Sequence, residues 1–596
     1  MPKRWLIRPH DRALVAELER SARVPGVMAA LLVARGVTDA AAVKAFLSGT
    51  LADLHDPELL PGIPAAADRI LAAARAGRKI VVHGDYDADG MSATAILVGC
   101  LEAIDARVAW YVPDRFEEGY GLKSAALETL AKDGAGMVVT VDCGIRSTAE
   151  AARARELGLE LVVTDHHEFG AELPAADVVV HPRLPGGSYP FGDLCGAAVA
   201  FKLAWAIATR AAGAKQVTPR LREMLLRSIG LAALGTVTDV MPLVGENRIL
   251  VRHGLECLRA KGGPGIDRLV ALTGIADKST LDSEDVAFKI GPRLNAAGRM
   301  DHAGHGVELL VTSDVARATG LADWLHERNA ERESVERSLQ LAATKQARDR
   351  FDPDGDAALV LADRGWHKGV IGIVAGRLVE RWHKPVVMLA RGAHEGCAAT
   401  GSVRGVPGVD VQDVLESCRG LLVACGGHAA AAGLTIEDGR IDEFRAAFVA
   451  EVDRRLPPEA RRPLLTLDGE TSLAGLSREA VEQLERLAPF GHGNRRPLLC
   501  ASRVTLAEPA RTIGASGKTL ALQLVQHGAK MRGVAFNSAD WLPHLPPPGQ
   551  PFHVAFRPKI NEFRGRRSAE LEIVDWRPDG VPVDAALPEL VLPVGA

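Results

Sequence analysis

The sequence has few cysteines, few aromatic residues and no long apolar run. Its 596 residues include 8 Cys without CxxC pairs or dense spacing, which argues against a disulfide framework and against a zinc ribbon. No stretch reaches the roughly 18 uncharged apolar residues of a membrane-spanning helix. The start, MPKRWLIRPHDR, meets charge before any signal-peptide core. We therefore expect a cytoplasmic protein with reduced thiols and no membrane partner.

The sequence also lacks a strong excess of one charge. Lys and Arg number 71 against 75 Asp and Glu, for a formal net charge of −4. This balance argues against a polycation that coats nucleic acid or membrane by bulk charge. Between residues 501 and 576, however, ten Lys or Arg stand against six acidic residues. Any affinity for nucleic acid is therefore expected to be local, and this C-terminal stretch is a candidate for it.

Composition and length indicate a globular protein of several domains. Apolar residues make up 47% of the chain and charged residues 24%, which leaves little room for extended disorder. At roughly 150 residues per domain, the chain has two to four folded units. No heptad array or other oligomer signature is present, so we expect a monomer.

The order of sequence patterns predicts an α/β protein. Residues 1–75 show short amphipathic patterns with Gly and Pro stops, typical of a helical segment. In residues 76–311 the β-branched runs KIVV, RVAWYV, MVVTV, LELVV and DVVV alternate with Ala-rich helical stretches. That alternation is typical of a mostly parallel sheet covered on both faces.

Four further segments follow this first α/β region. Residues 312–351 are charged and free of Pro, and they predict one or two long connecting helices. Residues 352–455 show a second α/β pattern, and residues 456–577 turn to short alternating strands, as in a small β-barrel. The last residues, 578–596, are rich in Pro and Val without periodicity and predict a loosely ordered tail.

Acidic and imidazole side chains follow three of the predicted strands. KIVV runs into a DxDxDG segment, MVVTV into Asp142, and LELVVT into a DHH triplet. Because ligands bind beyond the carboxyl ends of strands in open α/β sheets, these groups are expected to converge on one site. Asp239, after an apolar helical stretch, is a further candidate ligand.

The convergent carboxylates predict a site for divalent metal ions. A calcium-binding EF-hand loop is disfavoured, because its twelfth position falls on Ile96 rather than on a bidentate Glu. Carboxylates with imidazole and without sulfur favour Mn²⁺ or Mg²⁺. Four or more crowded carboxylates repel one another unless cations neutralise them, so two ions are plausible.

The motifs HxxxDxDG, VDCG, TDHH and GTVTDV, in this order, resemble those of the DHH phosphoesterase superfamily and, within it, of the bacterial RecJ exonucleases. Further similar segments include PDRFEEGYGL, GPRLNAAGRM, GWHKGVIGIVAGRL, GSVRG and GGHAAAAG, so the resemblance covers nearly the whole chain. It implies a DHH-type catalytic domain over 76–311, a DHHA1 domain over 352–455 and an OB-like barrel over 456–577.

The resemblance also implies roles for individual residues. His83, Asp87 and Asp142 are expected to bind one metal ion, and the second is expected on Asp89, Asp142, His166 and Asp239. His167 would contact the scissile phosphate, and Asp85 and Asp165 would hold neighbouring ligands in place. The expected phosphate or DNA contacts are Arg115, Arg293, Asn295, Arg299, His367, Ser402, Arg404, Gly427, His428 and Lys518.

The implied activity is metal-dependent hydrolysis of single-stranded DNA in the 5′ to 3′ direction, with release of 5′-mononucleotides. A helicase and a single-strand-binding protein are the implied partners, and recombination and repair the implied processes. Two alternatives stay open: a DHH phosphodiesterase for short oligonucleotides or cyclic dinucleotides, and a non-catalytic DNA-binding scaffold.

Two positions depart from the pattern of the family. His181 precedes Pro182 where many relatives have Asn, and Gly405 ends GSVRG where Ser is common. Neither position is a proposed metal ligand. Because of the second departure, we expect the phosphate contacts near Gly405 to differ from those of the family.

Overall fold

The computed structural model describes residues 3–580, apart from 116, 214–215, 353–354, 393, 395–396 and 564–565, and also residues 584–585. The chain forms two compact units. The larger unit contains residues 5–295, 303–323 and the described residues from 466 onward, and the smaller unit contains residues 3–4, 296–302 and 324–465. Most of the predicted tail, 578–596, lies outside the described residues.

The N-terminal segment is mostly helical. A strand β1 (Arg4–Ile7) precedes four helices: α1 (Arg12–Ala22), α2 (Gly26–Val33), α3 (Ala40–Ser48) and α4 (Ile63–Arg75). The carboxylates of Asp11 and Asp39 accept backbone amides at the starts of α1 and α3, as helix caps do. Met28 and Leu32 of α2 lie in the same buried core as Phe552 near the C-terminus. The first and last parts of the larger unit therefore share one apolar core.

The predicted parallel sheet forms from all five β-branched runs. Its elements are β2 (Lys79–His83), α5 (Ala88–Ala103), β3 (Val108–Tyr111), α6 (Ser124–Lys132), β4 (Ala135–Thr140), α7 (Thr148–Glu156), β5 (Glu160–Thr164) and β6 (Val178–Val180). The strand order is β3-β2-β4-β5-β6, and every pairing is parallel. Because His83 pairs with Thr140 in register, the chain leaves β2 and β4 at the same edge of the sheet.

A series of helices follows the sheet in the sequence: α8 (Gly196–Ala212), α9 (Pro219–Thr238), α10 (Gly245–Lys261), α11 (Pro264–Leu272), α12 (Ser283–Asp285), α13 (Gly291–Met300) and α14 (Gly304–Val311). Helices α8 and α9 are both packed against α5, and their facing sides are buried. The predicted long helix is α15 (Val315–Arg350), 36 residues in length. No helix in the described part of the chain is long and apolar enough to span a bilayer.

The smaller unit holds the second α/β domain. Its elements are β7 (Leu359–Asp363), α16 (Ile371–Trp382), β8 (Val386–Ala390), β9 (Ala398–Arg404), α17 (Val411–Ser417), β10 (Ala424–His428), β11 (Ala431–Glu437) and α18 (Ile441–Arg455). The sheet order is β10-β11-β9-β8-β7. One buried core contains Phe444 and Phe448 of α18, and a second contains Ile371 and Leu378 of α16. The sheet is thus covered by helices, as the sequence predicts.

The C-terminal domain is a β structure. After β12 (Leu464–Leu467) come β13 (Gly469–Glu470), α19 (Arg478–Glu485), β14 (Leu499–Leu506), β15 (Arg511–Ile513), β16 (Thr519–Gln526), β17 (Ala529–Ala535), β18 (Phe552–Phe563), β19 (Arg566–Pro578) and β20 (Asp584–Ala585). Strand β14 pairs with β18, and its last residues, Thr505 and Leu506, pair with β16. The pairings β14-β18-β19-β17-β16-β14 therefore form a cycle.

Candidate metal centre and nucleic-acid contacts

The DxDxDG segment turns from β2 directly into α5. Asp87 caps α5, because one of its carboxylate oxygens accepts the amides of Asp89 and Gly90 at 2.9 and 3.0 Å. Asp89 lies in the first turn of α5 and also accepts two amides at the start of α8, from Gly196 at 2.7 Å and Ala197 at 3.0 Å. Two helix N-termini therefore fix these carboxylates.

A cluster of three carboxylates surrounds one imidazole nitrogen. The Nε2 atom of His166 lies 3.1 Å from Asp142 Oδ1, 3.6 Å from Asp239 Oδ2 and 3.9 Å from Asp89 Oδ2. Asp142 follows β4 with a left-handed backbone, φ +63°. Asp239 follows the last residue of α9. Four separate segments of the chain thus meet at one point, as the strand-end pattern predicts.

The pKa shifts of this cluster are those expected of a site that binds a cation. Burial, followed by repulsion from Asp89 and Asp87, raises the pKa of Asp142 well above its usual value. Burial and neighbouring carboxylates raise the pKa of Asp239 in the same way. Burial and the nearby His167 charge lower the pKa of His166 to about 4, so its imidazole is neutral at pH 7. A divalent ion would relieve the repulsion and accept the imidazole lone pair.

Two buried atoms of this cluster have no hydrogen-bond partner in the described part of the chain. They are His166 Nε2 and Asp142 Oδ1, which face one another. Buried polar atoms almost always have a hydrogen-bond partner. Two neighbouring ligand atoms without one therefore indicate a site at which another group binds. Oxygen and nitrogen ligands without sulfur suit Mn²⁺ or Mg²⁺. The residues therefore fit the expected ion.

A second group of potential ligands lies beside the first. Single oxygens of Asp85, Asp87 and Asp142 all lie within 4.8 Å of one another, so Asp142 belongs to both groups. His83 is fully buried, and neither its Nε2 nor Asp85 Oδ1 has a hydrogen-bond partner in the described part of the chain. Burial lowers the pKa of His83 to about 4, which keeps its imidazole neutral and able to bind metal. Among the described residues, however, His83 belongs to no group of three potential ligand atoms that lie within 4.8 Å of one another.

His167 is held by two neighbours. Its Nδ1 lies 2.8 Å from Asp165 Oδ1 and 3.0 Å from the hydroxyl oxygen of Tyr120. Burial acts to lower the pKa of His167, but the hydrogen bond and charge of Asp165 outweigh burial and raise this pKa to about 9. The ring is therefore protonated at pH 7, and one of its nitrogens lies within 4.8 Å of ligand atoms of Asp142 and His166.

The sequence reasoning missed Tyr120 and two glycines at this site. Tyr120 also donates to the backbone carbonyl of Asp142 at 3.2 Å. A Cβ on Gly196 would lie 2.5 Å from Asp142 Oδ1, and one on Gly235 would lie 2.2 Å from Asp89 Oδ1. Helices α8 and α9 can therefore approach the carboxylates only because these residues lack a side chain. Tyr120 lies in the family-like segment PDRFEEGYGL, so the sequence could have identified it. The close approach of Gly196 and Gly235 to the carboxylates could not be found from the sequence.

Three family models match the chain in the order of its domains: "DHH family, N-terminal domain" over residues 79–232, "DHHA1 domain" over 355–454 and "RecJ OB domain" over 467–575. The single-stranded-DNA-specific exonuclease RecJ of Escherichia coli (strain K12) is 35% identical over 93% of this chain and 96% of that protein. The chain belongs to the RecJ family.

Other relatives agree with this assignment. The RecJ exonuclease of Bacillus subtilis (strain 168) is 35% identical, over 96% of this chain and 70% of that protein. The crystal structure of RecJ from Thermus thermophilus in complex with Mn²⁺ superposes with a TM-score of 0.81 and 33% identity. That match covers 97% of this chain and 80% of the relative. A second crystal structure of the same relative is a complex with Mg²⁺.

In this RecJ-family chain, the smaller unit gathers several of the predicted phosphate contacts. Arg404 donates to Ser402 Oγ at 2.9 Å, and a Cβ on Gly372 would lie 2.9 Å from both side chains. Ser402 and Arg404 of β9 therefore lie against the first turn of α16. Ser402 also pairs in register with Gly433 of β11.

The other predicted contacts of the smaller unit lie on two adjoining segments. His367 Nδ1 accepts the Gly369 amide at 3.2 Å, and Arg299 donates to the Gly369 carbonyl at 3.3 Å, so both flank the turn that leads into α16. Gly427 pairs with Ala432 in the β10–β11 hairpin, whose end carries the exposed His428.

The predicted contacts of the larger unit are more dispersed. The guanidinium of Arg115 lies 4.9 Å from the ring centre of Tyr86. Asn295 accepts the Ala88 amide at 2.7 Å, which supports the turn that carries the Asp residues. Arg293 donates to the Lys289 carbonyl at 2.6 Å. Arg115 and Asn295 thus adjoin the DxDxDG segment, and Arg293 caps its own helical turn.

Much of the predicted basicity of the RecJ OB domain is neutralised by ion pairs. Arg557 and Lys559 both contact Glu572, and Arg532 lies 3.2 Å from Glu570. Lys518 is exposed beside the turn that Gly514 and Gly517 close. The excess of positive residues in the sequence therefore overstates the positive charge available to a ligand.

The two departures from the family pattern have local structural consequences. His181 is buried, and its Nε2 lies 2.9 Å from the backbone oxygen of His167, so this contact holds the backbone of the DHH segment in place. A Cβ on Gly405 would lie 2.9 Å from Val411 Cγ1, which leaves little room for a serine in this chain.

Proposed function

We propose that the chain is a divalent-metal-dependent exonuclease specific for single-stranded DNA, which digests from the 5′ end and releases 5′-mononucleotides. The observation that carries this proposal is the unsatisfied His166 Nε2 among the carboxylates of Asp89, Asp142 and Asp239, in a chain of the RecJ family. Membership of the family supports the substrate, and the ligand cluster supports metal-dependent hydrolysis.

The proposed ligands divide into two sets that share Asp142. His83, Asp87 and Asp142 would hold one ion, and the second would be held by Asp89, Asp142, His166 and Asp239. Asp85, which has a carboxylate oxygen within 4.8 Å of oxygens of Asp87 and Asp142, is a further candidate ligand of that ion. Such ions would lower the pKa of the attacking water and stabilise charge on the attacking and leaving oxygens.

The side chains around these ligands bind and orient the substrate. A protonated His167, fixed by Asp165, places a positive charge where a scissile phosphate would lie. In the smaller unit, Ser402, Arg404 and the first turn of α16 supply donors for a phosphate of the strand. The C-terminal β domain offers a binding platform for single strands.

We further propose a monomer in the cytoplasm that works with a helicase and a single-strand-binding protein in recombination and repair. A nuclease limited to single strands depends on another protein to separate the duplex. The support for this proposal is membership of the RecJ family alone.

The two alternative functions find no support. The RecJ exonucleases of Escherichia coli and Bacillus subtilis match over more than nine-tenths of this chain, including its C-terminal β domain. A phosphodiesterase limited to dinucleotides has no need of that domain. A non-catalytic scaffold would have no need of the intact ligand cluster.

The test is digestion of matched single- and double-stranded DNA oligomers, labelled at either end, with Mn²⁺ or with a chelator. We expect mononucleotides from the 5′ end of single strands, with Mn²⁺ only, and no product from Asp142→Ala. Asp133→Ala is the matched control, because Asp133 is exposed at the end of α6, and it should digest normally. Cleavage of dinucleotides but not of long strands, or binding without cleavage, would contradict the proposal.

A further inference from the structure

Helix α9 ends beside the metal centre: its last residue is Thr238, and its C-cap is Asp239, a proposed metal ligand. The Val240 amide donates to the Val237 carbonyl at 3.3 Å, and the Met241 amide donates to the Thr236 carbonyl at 3.1 Å. These two bonds define a Schellman ending, in which the residue after the C-cap is left-handed and is usually Gly. Here that residue is Val240, with φ +57°.

Valine is a poor choice for this backbone conformation. Its branched Cβ crowds the following carbonyl in the left-handed region, so the conformation is strained. Among the described residues other than Gly with positive φ, Val240 is the one β-branched residue. Its side chain is also 65% exposed, so burial of apolar surface does not compensate the strain. A glycine would be the more stable choice for the fold alone.

The position of Val240 places this exposed side chain beside the metal centre. Asp239 immediately precedes it, and the Asp239 carboxylate lies 3.6 Å from His166 Nε2. The helical turn of residues 286–290 packs against α9 and carries Phe288, which is 76% exposed. The end of α9 therefore presents an apolar side chain to solvent next to a cluster of charged ligands, and a turn that packs against α9 presents a second one. Strain that persists without a packing reason points to a role in function.

We propose that Val240 contacts the base of a nucleotide that flanks the scissile linkage. An apolar side chain gains nothing from a phosphate but packs against the face or edge of a base. This role rests on the proposed function, since it assumes that a DNA strand crosses the cluster of Asp89, Asp142, His166 and Asp239. Val240 would then strengthen substrate binding at the expense of fold stability.

The test compares Val240→Gly and Val240→Ile with the wild-type chain. For Val240→Gly we expect a higher melting temperature, a KM for single-stranded DNA raised at least about fivefold, and a kcat within about twofold of the wild-type value. Mn²⁺ affinity, measured by calorimetry, should not change. Val240→Ile should keep the KM. Arg23→Gly is the matched control: Arg23 is also a left-handed residue at a helix end, φ +54°, and its exchange should raise stability without changing KM.

A substrate with an abasic site on either side of the first linkage identifies the contact. If Val240 packs against a base, removal of that base should abolish the difference in KM between wild type and Val240→Gly. Three results would overturn the proposal: an unchanged KM in Val240→Gly, a lower melting temperature, or a loss of Mn²⁺ affinity that accounts for the change. If wild type itself leaves single strands intact, the proposed function fails first, and the role of Val240 fails with it.

Discussion

Asp165 and His167 are joined by a hydrogen bond of 2.8 Å between a carboxylate Oδ1 and a ring Nδ1. Asp165 also accepts the amides of His166 at 2.7 Å and Ile145 at 2.9 Å. Burial acts to raise the pKa of Asp165, but its hydrogen bonds with His167 and the Ile145 amide and the positive charge of His167 outweigh burial and lower this pKa to about 2. Asp165 is therefore ionised at pH 7 and fixes the orientation and charge of His167.

Replacement of this carboxylate is the first prediction. In Asp165→Asn the neutral amide no longer stabilises the imidazolium, so the pKa of His167 should fall from the value of about 9. We expect kcat on single-stranded DNA to fall about 10²-fold, with a smaller change in Mn²⁺ affinity. Steady-state kinetics and an NMR titration of the His167 ring check both effects. Asp133→Asn changes an exposed carboxylate at the end of α6 and should behave as wild type; an equal loss there would contradict this explanation.

A second prediction concerns the close approach of α8 to the ligands. In Gly196→Ala the new Cβ would lie 2.5 Å from the Asp142 side chain, so the helix or the carboxylate must move. We expect weaker Mn²⁺ binding by calorimetry and about 1–3 kcal/mol lower stability. Gly99→Ala is the control, because nothing lies within 4 Å of that Cβ on α5, and it should be neutral or slightly stabilising. Normal metal affinity in Gly196→Ala would contradict the predicted crowding.

The third prediction is that metal binding releases protons. Burial and repulsion between the carboxylates raise the pKa values of Asp85, Asp142 and Asp239 well above their usual values, so these groups hold their protons more tightly than free carboxyl groups do. Ligands must be ionised to bind, so affinity for Mn²⁺ should increase as pH rises, and binding should release protons. Calorimetry in two buffers of different ionisation enthalpy measures the released protons. Equal binding enthalpies in both buffers would show that the carboxylates are already ionised.

The fourth prediction is a dependence of stability on pH that does not involve the metal centre. Asp285 accepts from Lys278 at 2.6 Å and from Lys289 at 2.9 Å. Burial acts to raise the pKa of Asp285, but these hydrogen bonds outweigh it and hold the pKa below its usual value. The ionised form therefore stabilises the fold above the unfolded pKa of about 4, and this contribution is lost as pH falls through the folded pKa.

For Asp285→Asn we therefore expect a loss of about 1–2 kcal/mol at neutral pH, because both lysines are partly exposed and solvent screens the pair. The difference in melting temperature from wild type should shrink below about pH 4. Lys278→Gln and Lys289→Gln should each show part of the effect. A difference that stays constant down to about pH 3 would contradict the assignment.

The sequence by itself determined the elements of this protein and the edge at which its chemistry lies. The β-branched runs predict the strands, because each is a continuous apolar run of the length of a buried strand, and the Ala-rich stretches between them predict helices. All five runs form the parallel sheet. The acidic and imidazole groups follow those strands in the sequence, so parallel topology alone brings Asp87, Asp142 and His166 together. The long helix α15 is local as well, because its segment is rich in charged residues and free of Pro.

Other features depend on contacts between residues far apart in the chain, which no local pattern encodes. Examples are the core shared by α2 and the C-terminal strands, the pairing of β14 with β16, and the ion pairs that neutralise much of the positive charge near Glu572. The approach of Gly196 to Asp142 and the left-handed backbone of Val240 are likewise set by how helices end and pack. Sequence patterns predict which groups meet; tertiary packing sets their distances, their protonation states and the strain beside them.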